Sequence, residues 1–157
     1  MQLHELIRES DIKIYEHPPA DKIELLRELL GWCTDKSDLE KSKSIIWETL
    51  IEREKSMSTG IGLGVAIPHC STKHVSEIHG ILALLKEGID FQAVDEQPVR
   101  IIVLLLMPKD KFDKHIKTLA TIARLFNNEG FREKILKVST SLEAHELLKQ
   151  ESGNSNI

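Results

Sequence analysis

Two apolar runs, Gly80-Ile81-Leu82-Ala83-Leu84-Leu85 and Val99-Arg100-Ile101-Ile102-Val103-Leu104-Leu105-Leu106, constrain the fold of this chain more than any other feature. Both are strand-sized, and neither shows the apolar–polar alternation of a strand with one wet face. Each must therefore be covered on both sides, and helices are the usual cover. The sequence supplies them. Asp21 can cap a helix in which Ile23, Leu25, Leu26, Leu29 and Leu30 recur at helical spacing. Gly31 to Asp35 reads as a turn, and Ser37-Asp38-Leu39-Glu40 fits a capping box opening a second helix to about Lys55. In that helix Ile45, Ile46, Thr49 and Leu50 make the apolar side, while Glu48, Glu52, Arg53 and Glu54 stay polar. Further helical patterns cover Asp113 to about Asn127, Phe131 to Leu136 and Ser141 to Leu148. Ahead of them all, Ile12-Lys13-Ile14-Tyr15 alternates and reads as a strand. The expectation is an α/β fold with helices on both faces of a sheet. One domain over residues 1–150 and a frayed tail over 151–157 account for the chain of 157 residues.

Between the second helix and the first apolar run lies Ser58-Thr59-Gly60-Ile61-Gly62-Leu63-Gly64-Val65-Ala66-Ile67-Pro68-His69-Cys70. It reads as a glycine-spaced segment passing into a short apolar strand that Pro68 stops, leaving His69 at the strand's end. A polar loop then runs through Glu77. Lys86-Glu87-Gly88 closes the first apolar run, Ile89, Phe91 and Val94 anchor a loop, and Pro108 stops the second run.

The glycine stretch does not bind a nucleotide. A dinucleotide fingerprint starting at Gly60 needs glycine where Val65 stands, and no Gly-Lys-Ser/Thr ending makes a Walker loop. His69, Cys70, His74 and His79 are candidate metal ligands, but their spacing matches no strong zinc pattern. A Cys70–His69 nucleophile pair is disfavoured because neighbouring side chains on an extended chain face opposite ways. His69 can itself be a nucleophile. Imidazole has a pKa of about 6.5, so at neutral pH one nitrogen keeps a lone pair once the other is fixed by a hydrogen bond. A phosphoryl acceptor also needs cations or donors around the phosphoryl oxygens, and Arg53 and His115 are suitable in type. Arg53 in a helix's last turn and a solvated strand-end histidine are equally consistent with purely structural roles.

A net charge of -4 without a Lys/Arg block argues against nucleic acid or a membrane surface as the partner. No run reaches the ~18 apolar residues of a membrane span, the first residues have no hydrophobic signal core, and two cysteines without motif spacing fit a reducing cytoplasm.

The run Leu50-Ile51-Glu52-Arg53-Glu54-Lys55, followed by Ser58-Thr59-Gly60-Ile61-Gly62 and Gly64-Val65-Ala66-Ile67-Pro68-His69, resembles the active-site signature of enzyme IIA of the fructose, mannitol and nitrogen-regulatory class. That class belongs to the bacterial phosphoenolpyruvate-dependent phosphotransferase system. Gly88 to Val99 and the apolar strand before Pro108 are similar to the family's later sheet segments, and His115 stands where the family has a second histidine. The resemblance covers about Ile12 to Leu148. It implies a mixed sheet between helices, with His69 phosphorylated by the histidine-containing phosphocarrier protein and donating to an enzyme IIB. It implies roles at the phosphohistidine for Arg53, which would bind phosphoryl oxygens, and for His115, which would assist. Ser58 and Thr59 are candidates for hydrogen bonds near the site, and no metal, nucleotide or other cofactor is required. The family usually has Asn where Leu63 stands and Gly where Cys70 stands; Leu63 enlarges an apolar rim, and Cys70 is positioned to crowd a docking partner. The absence of an enzyme IIB or membrane domain in this sequence favours the nitrogen-regulatory type, signalling to kinases or ion transporters, with a sugar-transport enzyme IIA as the alternative.

Overall fold

The computed structural model describes residues 2–34 and 38–152. A mixed six-stranded sheet runs through the centre, with strand order β1-β5-β6-β3-β2 and β4 also paired to β6. The strands are β1 (Ile12–Tyr15), β2 (Gly60–Gly62), β3 (Val65–Ala66), β4 (His69–Thr72), β5 (His79–Ile89) and β6 (Val99–Pro108). The helices are α1 (Leu3–Leu6), α2 (Lys22–Thr34), α3 (Lys43–Ser56), α4 (Phe112–Phe126), α5 (Glu129–Leu136) and α6 (Ser141–Ser152).

The two apolar runs form the central antiparallel pair, with Ile81 opposite Leu104 and Ala83 opposite Ile102. Successive side chains go to opposite faces. Ile81, Ala83, Leu85, Ile102, Leu104 and Leu106 pack beneath α2 and α3 with Leu26, Leu29, Ile46 and Leu50. Leu82, Leu84, Ile101, Val103, Leu105 and Met107 pack with Ile122 and Phe126 of α4, Ile135 of α5 and Leu148 of α6. This is the two-sided cover that unalternating strands demand.

Several expectations are corrected. Helix α2 continues through Gly31 to Thr34 instead of turning; Gly31 is buried facing Lys43, and the Thr34 hydroxyl bonds back to the Leu30 carbonyl oxygen at 2.9 Å. A Cβ at position 31 would lie 3.3 Å from Lys43 Nζ, the movable end of a long side chain. Helix α3 begins at Lys43, after a 3₁₀ turn over Asp38–Ser42; the capping box depends on Ser37, which lies outside the described residues. Ile45 is half-exposed, and Glu54 is buried because it falls in line with Ile46 and Leu50 at four-residue steps. Strand β5 runs past Lys86, Glu87 and Gly88 to Ile89 through an irregularity in its pairing. Phe91 and Ile89 are buried as anchors, whereas Val94 is exposed. Pro108 ends β6 from within, paired with Thr72. The last helix extends through Ser152, and residues 153–157 of the expected tail lie outside the described ones.

The largest correction concerns the glycine stretch. Instead of a glycine-spaced segment passing into one short strand, it is a hairpin, β2 to β3, followed by β4. Leu63 and Gly64 are the two turn residues, with φ of 60° and 75°, and positive φ at both is what the strand twist requires of a two-residue turn. Gly60 is needed for another reason: a Cβ there would lie 2.7 Å from that of Ala93. Strands β3 and β4 pair with the same strand in the same parallel sense, interrupted at Ile67 and Pro68. His69 thus opens a strand instead of closing one, and the region expected as a loop contains β4.

Candidate active site

His69 re-enters the sheet as the first residue of β4, just after the Ile67–Pro68 break. Pro68 has no N–H to give to a ladder, so the backbone is free to bend there. The Ile67 N–H turns to the Thr59 carbonyl oxygen at 3.0 Å, and the Ile67 carbonyl oxygen lies 2.7 Å from His69 Nδ1. A carbonyl accepts only, so a neutral His69 donates from Nδ1 and keeps its lone pair on Nε2.

The ring is half-buried. Burial lowers its pKa below the usual 6.5; the bond to Ile67 and the Glu54 carboxylate oppose this, while the charges of Arg53 and His115 add to it. The neutral, nucleophilic ring is therefore the dominant form at neutral pH.

Arg53 and His115 reach the site from opposite helices. Helix α3 packs on β4, and Arg53 sits in its last turn with Nη1 donating to the Met57 carbonyl oxygen at 2.9 Å. That single bond caps the helix and leaves further guanidinium donors, because the group carries five N–H bonds. His115 lies in the first turns of α4, 4% exposed, with Nδ1 3.5 Å from the Ser71 hydroxyl. Ser71 follows His69 by two positions on β4 and shares its face. His115 Nε2 is buried with no hydrogen-bond partner. A buried polar atom without a partner calls for a specific explanation.

Thr59 and Ser58 are held beside the site by other groups. The Thr59 hydroxyl donates to Glu54 Oε2 at 2.7 Å and its N–H to Glu54 Oε1 at 3.1 Å, while the Ser58 hydroxyl donates to the Phe91 carbonyl oxygen at 2.7 Å. Cys70 points into the core, 3% exposed opposite Leu106, so it does not crowd a docking partner. Burial pushes its thiol, and that of Cys33, up to about 12. Leu63 is exposed at the hairpin tip, where its N–H donates to Asp95 Oδ2 at 3.0 Å. Among the described residues no three His, Cys, Asp or Glu side chains are grouped to hold a metal ion, and no helix is long and apolar enough to cross a membrane. A cavity of about 690 Å³ beside α2 and β1, with Lys13, Tyr15, Arg27 and Trp32 in its wall, is lined by none of His69, Arg53, His115, Ser58 or Thr59.

Glu54 and Lys22 were not legible as site-supporting residues. The signal for Glu54 was its four-residue spacing from Ile46 and Leu50. Lys22 carried none, since its bond to Glu54 spans 32 positions.

Residues 5–151 match the family model described as phosphoenolpyruvate-dependent sugar phosphotransferase system, EIIA 2. The PTS system fructose-specific EIIA component of Haloferax volcanii is 32% identical over 133 residues, which cover 85% of this chain and 86% of that protein. The crystal structure of nitrogen regulatory protein IIA-Ntr from Neisseria meningitidis superposes with a TM-score of 0.84 at 31% identity, covering 93% of this chain and 98% of that one. Enzyme IIAMTL of Escherichia coli, in its complex with phosphorylated enzyme IIBMTL, shares the fold with a TM-score of 0.74 at 19% identity, over 90% and 95% of the two chains.

Proposed function

The chain belongs to the EIIA 2 family of the phosphoenolpyruvate-dependent sugar phosphotransferase system and is a phosphoryl carrier of that system, and from this we propose that His69 is the residue that carries the phosphoryl group. The observation that supports it most is the 2.7 Å contact of His69 Nδ1 with the Ile67 carbonyl, which commits the lone pair to Nε2.

In this reading Nε2 attacks the phosphorus of a phosphohistidine on the histidine-containing phosphocarrier protein. The new Nε2–P bond forms as the donor's N–P bond breaks, and the electron pair of that bond returns to the donor ring. The proton stays on Nδ1, donated to the Ile67 carbonyl oxygen, which supports the positive charge the ring acquires. The free guanidinium donors of Arg53 bind the phosphoryl oxygens, and His115 Nε2 supplies the donor that the buried pocket holds ready. Thr59 acts from behind the site, through Ile67. The group then passes to an acceptor; an enzyme IIB is the acceptor class that the Escherichia coli complex suggests.

The protein is a stoichiometric carrier of one EIIA domain over residues 1–150, cytoplasmic, with turnover set by its partners. The likeness to IIA-Ntr supports a regulatory role directed at proteins such as kinases or ion transporters. The Haloferax relative supports the second reading, a fructose-type carrier. Affinity capture with phosphorylated and unphosphorylated protein separates them: recovery of an enzyme IIB indicates transport, and of a kinase or ion transporter regulation. Phosphate transfer from phosphoenolpyruvate through the general phosphotransferase proteins tests the site. Acid-labile, alkali-stable label is expected on the natural chain and none on His69→Ala; equal labelling of the two rules His69 out.

A further inference from the structure

Behind the nucleophile, and outside every role assigned above, lies a buried ion pair. Glu54, 2% exposed, accepts from Lys22 Nζ at 3.1 Å, from the Thr59 N–H at 3.1 Å and from the Thr59 hydroxyl at 2.7 Å. Lys22 Nζ also donates to the Phe91 carbonyl oxygen at 3.2 Å, and the Ser58 hydroxyl donates to that same oxygen. Three parts of the chain that are distant in sequence thus converge on the segment ahead of the hairpin.

A buried ion pair is weak evidence for stability, because well-packed apolar residues often serve equally well there. What it does supply is direction. The Thr59 it clamps presents a carbonyl oxygen to the Ile67 N–H at 3.0 Å, and Ile67 in turn presents its own carbonyl to His69 Nδ1 at 2.7 Å. The path from Lys22 to the imidazole is hydrogen-bonded at each step, and Pro68, with no N–H to donate, leaves the turn at Ile67 without a ladder bond from the residue that follows it. The Glu54 charge is also felt at His69, where it opposes those of Arg53 and His115.

We infer that Glu54, clamped between Lys22 and Thr59, is a positioning residue for phosphoryl transfer, holding the Ile67 carbonyl where it fixes His69 with its lone pair on Nε2. This rests on the reading of His69 as phosphoryl acceptor. Glu54 touches no reacting atom; it acts through Thr59 and Ile67. Orientation of this kind affects the step at the reacting centre and not the affinity for the donor.

The test uses single-turnover phosphorylation by the phosphorylated histidine-containing phosphocarrier protein, with the His69 ring tautomer read by ¹⁵N NMR. Three variants are compared with the natural chain. Thr59→Val removes the hydroxyl bond to Glu54 at nearly constant volume, and Thr59→Ser restores it. The pair Lys22→Met with Glu54→Gln removes both charges together, leaving neither buried unpaired. Thr59→Val and the double variant are expected to transfer about tenfold more slowly at saturating donor, with half-saturation unchanged and the Nδ1–H tautomer no longer dominant, and Thr59→Ser to recover rate and tautomer. Natural rate and tautomer in folded Thr59→Val overturn the inference, whether or not the double variant folds. Failure of the natural chain to accept phosphate at His69 instead overturns the reading beneath it.

Discussion

His69 Nδ1 lies 2.7 Å from the carbonyl oxygen of Ile67, two residues earlier on the same chain, and this contact decides which nitrogen faces outward. Its electrostatic setting has a measurable consequence. Burial first, then the charges of Arg53 and His115, lower the His69 pKa below 6.5.

The transfer rate should therefore be flat around neutral pH and fall only as pH drops through that lowered value, as the ring protonates and Nε2 loses its lone pair. Stability follows the same sign. In the window between the lowered pKa and 6.5 the unfolded chain binds more protons at this ring than the folded chain, so stability rises with pH. The contribution is complete above 6.5 and is lost as pH falls toward the folded value. His79, also lowered by burial, adds in the same direction. Ring titration by NMR together with chemical unfolding at pH 5 to 8 checks both; a His69 midpoint above 6.5 contradicts them.

Arg53 and His115 differ in what their loss should do. Arg53→Ala gives up the cap at Met57, worth about 0.5–1 kcal/mol, and the phosphoryl contacts, worth about 100-fold in transfer rate. Stability loss with an unchanged rate would leave Arg53 as a cap alone. His115→Asn keeps a polar atom near Nδ1 and deletes Nε2, whereas His115→Gln keeps an amide donor close to the Nε2 position. Transfer should slow by about 10- to 100-fold in the first and by less in the second. Equal rates in both variants and the natural chain would return His115 to a structural role.

Much of this was legible from the sequence, for physical reasons that differ by element. The two apolar runs specified buried strands because each is too short between its breakers for an ordinary helix, and the second is rich in β-branched Val and Ile. His69 stood out because Pro68 before it cannot continue a ladder. The hairpin was not legible, since Leu63 occupies a turn position that normally calls for Asn or Gly, and so the glycines read as one extended segment. Glu54 read as a wet-face residue because the partners that make its burial tolerable, Lys22 and Thr59, come together only in three dimensions. Gly31 read as a turn because nothing local reveals that Lys43 packs over it.

Leu63 offers a stability test of the hairpin. A leucine at φ 60° is strained, and the side chain is exposed, so little packing opposes its replacement. Leu63→Asn should stabilise the protein by about 0.5–1 kcal/mol, seen as a rise of about 1–4 °C in Tm. A fall in Tm would mean that the exposed leucine is held by contacts stronger than the strain.

The position of the phosphoryl group on the ring tests the central claim most directly. After phosphorylation through the general phosphotransferase proteins, ¹⁵N and ³¹P NMR of His69 should show phosphorus bonded to Nε2, with Nδ1 still protonated and hydrogen-bonded. Phosphorus on Nδ1, or on any residue other than His69, would contradict the account.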